Sequence, residues 1–203
     1  MKRRNNIITV AIDSPAAAGA GTQAKLISKH YNLFYLDTGK IYRYIGKLKL
    51  DDKKNFTYSL VNKEISNLKM NQLNNKALLS NEVAVSASKI AKIKKIRNIV
   101  HKYQKKCAYH PPKKYKGSVL DGRDIITVQV KDAMFKFYIS ASLKVRAKRR
   151  YKEYKDLNRK ITYKEVLKSL RIRDKSDKER KFGPLKKTKD SILINTTKLS
   201  KKS

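Results

Sequence analysis

Short apolar runs alternate with longer amphipathic segments along the whole chain. The runs NIITVAI at 6–12, LFYL at 33–36 and MFKFYIS at 134–140 are rich in β-branched and aromatic residues. Such runs are typical of buried strands in a parallel sheet. Two further runs, in SVLDGRD at 118–124 and in SILIN at 191–195, complete a set of five predicted strands.

The segments between these runs place apolar residues three and four apart, which predicts helices. The first of them has Thr22 available to start it. Because strands and helices alternate without a long linker, we expect one domain over 1–203, of the α/β class, with about five parallel strands flanked by helices. The predicted helical segments are TQAKLISKHY, TGKIYRYIGKLKL, VNKEISNLKM, KIAKIKKIRNIVHKY, ASLKVRAKRRYKEY and TYKEVLKSLRIRDKSDKER.

Composition narrows the setting in which this domain works. No run of eighteen apolar residues occurs, and the basic N-terminal segment lacks the cleavage site of a signal peptide, so we expect no membrane association. Cys107 is the single cysteine, which excludes an internal disulfide and favours a reducing, cytoplasmic setting. His30, His101 and His110 have no metal-ligand spacing and are interpreted as structural.

Positive charge is the most extreme feature of the composition. The chain has 51 Lys and Arg against 16 Asp and Glu, a formal net charge of +35. Such a balance predicts attraction of polyanions, nucleic acid above all. The excess is mostly Lys, scattered over a chain that is also rich in Asn, Ile and Tyr. Biased codon usage therefore explains most of the charge, and we expect nucleic acid to bind non-specifically at most.

The loop after the first predicted strand, SPAAAGAGT at 14–22, has the composition of an anion site. Small residues let the backbone approach a phosphate, and the N-terminus of the next helix contributes about half a positive charge. Thr22 stands where a hydroxyl could ligate Mg²⁺. Against the pattern G-x-x-x-x-G-K, Ser14 replaces the first Gly and Ala20 replaces the Lys, whereas Gly19 keeps its place.

Five motifs follow one another along the chain: DSPAAAGAGT, YLDTGKIYR, LDGRD, VRAKRRYKE and RIRDKSDKER. In this order they resemble the bacterial cytidylate kinases, a branch of the nucleoside monophosphate kinases. The resemblance implies a P-loop NTPase-type core at about 6–50 and 116–203, a small helical NMP-binding insertion at about 51–106 and a short lid at about 146–158. It also implies phosphoryl transfer from ATP, with Mg²⁺, to CMP or dCMP, and we expect a monomer.

The resemblance assigns roles to residues around both substrates. Thr38 and Arg43 are expected at the CMP phosphate, Ser88, Arg97, Arg123 and Asp124 at the base edge and phosphate, and Arg173, Asp177 and Arg180 over the phosphate and sugar. The ATP-binding loop would consist of Ser14, Pro15, Ala16, Ala17, Ala18, Gly19, Ala20, Gly21 and Thr22, with Thr22 as the metal ligand. The catalytic set would be Arg146, Arg149 and Arg150, in the lid over the ATP phosphates, and Asp124. Bidentate arginines suit phosphoryl transfer, which mainly requires positioning and neutralisation of charge.

Four positions depart from the family pattern. Ala20 stands where the family has Lys, and Gly is replaced at the other three positions, Ser14, Ala17 and Ile126. Loss of one preorganised transition-state donor typically costs on the order of 10²–10³ in turnover, so we expect a weakened enzyme with an intact backbone cradle. Two residues are candidates to replace the missing charge. Lys25 lies just over one turn up the same helix and points back toward its N-terminus, and Lys148 lies in the lid segment.

Other functions stay open at this stage. An adenylate-kinase-like specificity is the nearest rival, since GTQAK after the loop also resembles that family, although DGRD favours cytidine. A degenerate kinase fold could instead be a basic nucleic-acid-binding protein or a CMP-binding regulatory protein. Steep salt dependence would indicate the first, and CMP binding without ATP turnover the second.

Overall fold

A five-stranded parallel sheet forms the centre of the computed structural model, which describes residues 7–199. The strands are β1 (Ile8–Asp13), β2 (Leu33–Asp37), β3 (Gly117–Gly122), β4 (Phe135–Ser140) and β5 (Ile192–Asn195). Their order in the sheet is β2-β3-β1-β4-β5, with every neighbouring pair parallel. The predicted α/β class and the five predicted strands are therefore confirmed.

Seven α-helices surround the sheet in the described chain. They are α1 (Ala20–Tyr31), α2 (Thr38–Asp51), α3 (Tyr58–Ser66), α4 (Asn81–Ile90), α5 (Lys94–Tyr109), α6 (Leu143–Asp156) and α7 (Tyr163–Glu179). Short helical turns occur at Gln72–Asn74 and Lys76–Leu79, and a wider π-helical turn at Ile125–Gln129. Among the described residues, no helix combines the length and apolar content needed to cross a membrane.

Alternation along β1 explains the layered architecture. Val10 and Ile12 pack against Ala24 of α1 on one face of the sheet. Ala11 points to the opposite face, into a larger core that includes Ile45 of α2. Because side chains alternate along a strand, a strand that is buried at nearly every position must be covered on both faces. The β-branched run near the N-terminus therefore becomes the central strand.

Several predicted helix boundaries are wrong; VNKEISNLKM (61–70), for example, leaves the helix after Ser66. The first helix begins at Ala20, with Gly19 rather than Thr22 at its start, because the left-handed conformation of Gly19 turns the chain two residues earlier. The segment KIAKIKKIRNIVHKY is not one helix but is interrupted at 91–93. The Arg97 guanidinium accounts for this break, since it donates to the carbonyl of Ala91 (3.1 Å) and stabilises the turn that apolar spacing cannot reveal.

Close packing holds α4 against α2. A Cβ atom at Gly46 would lie 2.9 Å from the backbone nitrogen of Ala87, so only glycine allows this approach. The Ser86 hydroxyl also donates to the carbonyl of Gly46 (3.0 Å). This contact fixes part of the segment predicted as the NMP-binding insertion, 51–106, against the helix that follows β2.

Candidate active site

A cleft of about 390 Å³ opens at the carboxyl ends of β1, β2 and β3. Ligands of open α/β sheets bind at this edge. All nine predicted CMP-site residues line the cleft, and so does every residue of the 14–22 loop except Ala16. Ala16 is buried against Ala147 and Val166 and supports the loop from behind.

The 14–22 loop presents backbone rather than charged side chains to the cleft. Ala17 has a φ of 61° and Gly19 a φ of 100°, both in the left-handed region. Gly19 is the N-cap residue of α1, and no side chain caps this end of the helix. A helix N-terminus that is not capped by a side chain offers its N–H groups and the positive end of its dipole to an anion. The geometry is that of a phosphate-binding loop without its lysine.

A polar contact chain holds this loop from the side away from the cleft. The Thr196 hydroxyl donates to the carbonyl of Ala18 (2.7 Å). Arg149 in turn donates to the Thr196 hydroxyl (2.9 Å) and to the Thr196 carbonyl (2.7 Å). Residues just after β5 and in α6 therefore brace the loop, and Arg149 does not itself line the cleft.

The three predicted lid arginines lie at different depths. Arg146 is buried; its Nη1 donates to the carbonyl of Ala16 (3.2 Å) and its guanidinium pairs with Asp174. Arg150 alone of the three lines the cleft, where it pairs with Glu153 (3.0 Å). Arg146 and Arg149 are thus placed to support the loop, and Arg150 to meet a ligand.

The structure also brings together carboxylates that sequence reasoning missed. The strands β1, β2 and β3 each carry an Asp near the carboxyl end: Asp13, Asp37 and Asp121. Asp37 and Asp121 are direct partners in the β2–β3 register, and both line the cleft. The signal was available, because parallel strands end at one edge and three of the five predicted strands have an Asp at that end.

Burial dominates the electrostatics of Asp13 and Asp121. It raises the pKa of Asp13 to about 7, although Asp13 accepts backbone hydrogen bonds from Ile125 (2.8 Å) and Ile126 (3.0 Å). Burial, reinforced by the charge of Asp37, raises the pKa of Asp121 to about 8. The Oδ1 atom of Asp121 is buried without a hydrogen-bond partner in the described chain. The edge of the sheet therefore holds acidic groups that a cation would stabilise.

Asp177 organises the arginines among the predicted CMP-site residues of the cleft. Its carboxylate accepts from Arg123 (2.9 Å) and lies 3.8 Å from Arg173 and 3.7 Å from Arg180. Burial would raise the pKa of Asp177, but the three positive charges outweigh it and hold that pKa below its ordinary value. Burial, together with the charge of Arg123, lowers the pKa of Arg173 to about 10. Asp177 therefore stays ionised and offsets charges that would repel one another without a bound anion.

Asp124 is the second centre of this cluster. It forms a buried ion pair with Arg97 and accepts from Gln129 (3.3 Å). His101 Nε2 lies 3.5 Å from the same carboxylate, and Arg180 lies 3.7 Å from its other oxygen. Asp124 is thus held on several sides while it faces the cleft.

The remaining predicted acceptor residues lie on α2 and α4. Thr38 donates to the carbonyl of Asp121 (2.7 Å) and Arg43 to the carbonyl of Leu78 (2.7 Å). Burial, together with the charge of Arg150, lowers the pKa of Arg43. Ser88 lines the cleft near the end of α4.

The parallel sheet, the phosphate loop at a helix N-terminus and the arginine-lined cleft facing it define a P-loop nucleotide kinase. Residues 10–203 match the sequence model of the cytidylate kinases. The chain is 44% identical over 198 residues to the cytidylate kinase of Bartonella henselae, covering 94% of this chain and 87% of that protein. The cytidylate kinases of Thermosipho melanesiensis (40% identity; 94% and 90% coverage) and Fusobacterium nucleatum (40%; 97% and 92%) are similar along comparable lengths. This chain belongs to the cytidylate kinase family.

Proposed function

We propose that this protein transfers the γ-phosphoryl group of ATP to CMP or dCMP, giving ADP and CDP or dCDP. One observation carries the proposal: Asp124 and Asp177 hold four arginines in the cleft that the phosphate loop also lines. Such a site can place two phosphate-bearing ligands close together. The family assignment supports cytidine as the acceptor base and favours a kinase over a nucleic-acid-binding protein.

On the acceptor side, the arginines neutralise the CMP phosphate, and the aspartates accept hydrogen bonds from the base and the sugar. Arg43, Arg123 and Arg173 bind the phosphate, since guanidinium groups match phosphate oxygens bidentately. Asp124, fixed by Arg97, accepts from the cytosine amino group, whereas Asp177 accepts from the sugar. Ser88, Thr38 and Arg180 complete this half of the site.

On the donor side, the 14–22 loop binds the ATP phosphates through its backbone N–H groups and the dipole of α1. Arg150 approaches from α6 and adds positive charge over those phosphates. Arg146 and Arg149 act from behind the loop. Arg146 donates directly to the carbonyl of Ala16, whereas Arg149 donates to Thr196, whose hydroxyl donates to the carbonyl of Ala18.

The residues present fit Mg²⁺ bound together with ATP. Within the described chain, no three His, Cys, Asp or Glu side chains form a metal site by themselves. Mg²⁺ at nucleotide sites needs few protein ligands, because the phosphates supply the others. Three groups that line the cleft would hold the ion: the Thr22 hydroxyl and the carboxylates of Asp37 and Asp121. The Oδ1 atom of Asp121 has no hydrogen-bond partner in the described chain. Bound there, the ion would neutralise charge on the ATP phosphates.

A coupled assay of ADP release tests the proposal directly. ATP and Mg²⁺ are supplied at moderate salt with CMP, dCMP, UMP or AMP in turn. We expect turnover with CMP or dCMP well above that with UMP or AMP. A preference for AMP would contradict the cytidine assignment, and no turnover with any acceptor would contradict the kinase itself.

A further inference from the structure

The donor loop contributes no positively charged side chain to the cleft. Residues 14–22 contain neither Lys nor Arg. Ala20, which occupies the lysine position of the G-x-x-x-x-G-K pattern, is 5% exposed and packs in the core with Val10 and Ile12. The backbone alone must hold the ATP phosphates at this point, unless a lysine reaches them from elsewhere.

The cations that line the cleft are nearly all engaged with protein partners. Arg97 and Arg180 lie against Asp124, and Arg123 and Arg173 against Asp177; Arg43 donates to Leu78, Arg150 pairs with Glu153 and Lys40 donates to Asn74. Among the described residues, Lys25 is the one cleft-lining cation for which no hydrogen bond or ion pair is found. Lys148, exposed on α6, does not line the cleft.

Helix geometry directs Lys25 toward the loop. Lys25 lies four residues after Gly21 and three after Thr22, so all three share one face of α1, and all three line the cleft. One helical turn rises about 5.4 Å, and helical side chains lean back toward the N-terminus. A flexible four-carbon stem therefore allows the ammonium group to reach the opening of the phosphate loop.

We infer that Lys25 supplies to the ATP phosphates the positive charge that Ala20 does not. The inference rests on the proposed kinase function. In the transfer, an oxygen of the CMP phosphate forms a bond to the γ-phosphorus. The bond from that phosphorus to the β–γ bridging oxygen breaks, and ADP leaves with the electron pair. Lys25 stabilises the negative charge on the phosphate oxygens.

Three variants test this role. Lys25→Ala removes the charge, Lys25→Arg keeps it, and Lys29→Ala removes an exposed lysine one turn further along the same helix. We expect Lys25→Ala to lower kcat with CMP on the order of 10²-fold, as for the loss of one transition-state donor. Lys25→Arg should recover most of the loss, and Lys29→Ala should behave as the unmodified protein.

Calorimetric titrations with ATP and Mg²⁺, and separately with CMP, provide a readout that does not depend on turnover. Lys25→Ala should weaken ATP binding and leave CMP binding within about twofold, whereas Lys29→Ala should change neither. If Lys25→Ala matches Lys29→Ala in both kcat and ATP affinity, the inference is wrong. Should the unmodified protein show no turnover, the proposed function fails, and the ATP titrations still decide whether Lys25 contacts the donor.

Discussion

The two halves of the cleft, which we propose bind the phosphate acceptor and the phosphate donor, are built by different means. In the half that we assign to CMP, side chains form buried ion pairs such as Arg97–Asp124. In the half that we assign to ATP, the loop offers backbone and small side chains, with Ala17 and Gly19 in left-handed conformations. Because its charged groups pair with one another, the acceptor site is sensitive to the loss of any one charge. The donor site depends on the path of the chain and on groups that reach the loop from outside it.

Breaking the acceptor ion pair should have the largest effect. Arg97→Leu leaves Asp124 buried without its main partner, which we expect to cost about 3–5 kcal/mol in the free energy of unfolding. Lys102→Leu, at an exposed position on the same helix, serves as the control and should change that free energy by less than about 0.5 kcal/mol. Urea unfolding followed by circular dichroism measures both. Similar values for the two variants would show that the pair does not organise the acceptor half.

Gly183 tests whether the position of Asp124 governs acceptor turnover. Gly183 has a φ of 58°, and a Cβ atom there would collide with the Asp124 carboxylate and with Arg97. In Gly183→Ala, this collision should displace the Asp124 carboxylate and so lower kcat/KM for CMP. A displacement near 1 Å typically costs on the order of 10²-fold in rate. The KM for ATP should barely change. Equal losses for both substrates would indicate a general folding defect, and Lys181→Ala provides the matched neighbour.

His101, which lies beside Asp124, should make the stability of the protein depend on pH. Burial lowers the pKa of His101 to about 4 from 6.5, with Arg97, Lys105 and Arg180 acting in the same direction and Asp124 opposing them. Between pH 6.5 and 4 the unfolded chain therefore takes up a proton that the folded chain does not. The free energy of unfolding therefore decreases as the pH is lowered through that window, by at most about 1.4 kcal/mol per pH unit. Above pH 6.5, His101 makes no contribution to the pH dependence of stability.

His101→Gln should remove this part of the pH dependence. The difference in unfolding free energy between the unmodified protein and the variant should change between pH 6.5 and 4 and stay constant from pH 7 to 8. His30→Gln, at an exposed position, serves as the control. A difference that does not vary with pH would mean that His101 titrates alike in the folded and unfolded chains.

The smallest effect is expected in the donor loop. Ala17 occupies a left-handed conformation that costs a non-glycine residue about 1–2 kcal/mol, whereas glycine gains freedom in the unfolded chain. We therefore expect Ala17→Gly to stabilise the protein by less than about 1 kcal/mol. Ala16→Gly, at a neighbouring position without a positive φ, should destabilise it. If both variants destabilise equally, the conformation of Ala17 carries no strain.

Much of the fold was predictable because the strands are nearly uniform apolar runs. The interruption at 91–93 was not, since a side chain from the next helix, Arg97, stabilises it. The different depths of Arg146 and Arg150 were also hidden: helical spacing gives the face of a residue but not how close each turn lies to the loop. The Asp residues at the strand ends were visible in the sequence, but their proximity depends on the strand order of the sheet.

Analysis of the reaction products tests most directly whether the protein, with no lysine in its phosphate loop, still transfers a phosphoryl group to CMP. ATP, Mg²⁺ and CMP are incubated with the protein, and the nucleotides are separated and quantified over time. We expect CDP and ADP in equal amounts. ADP without CDP would mean that the loop only hydrolyses ATP, and no ADP despite CMP binding would mean that transfer has been lost.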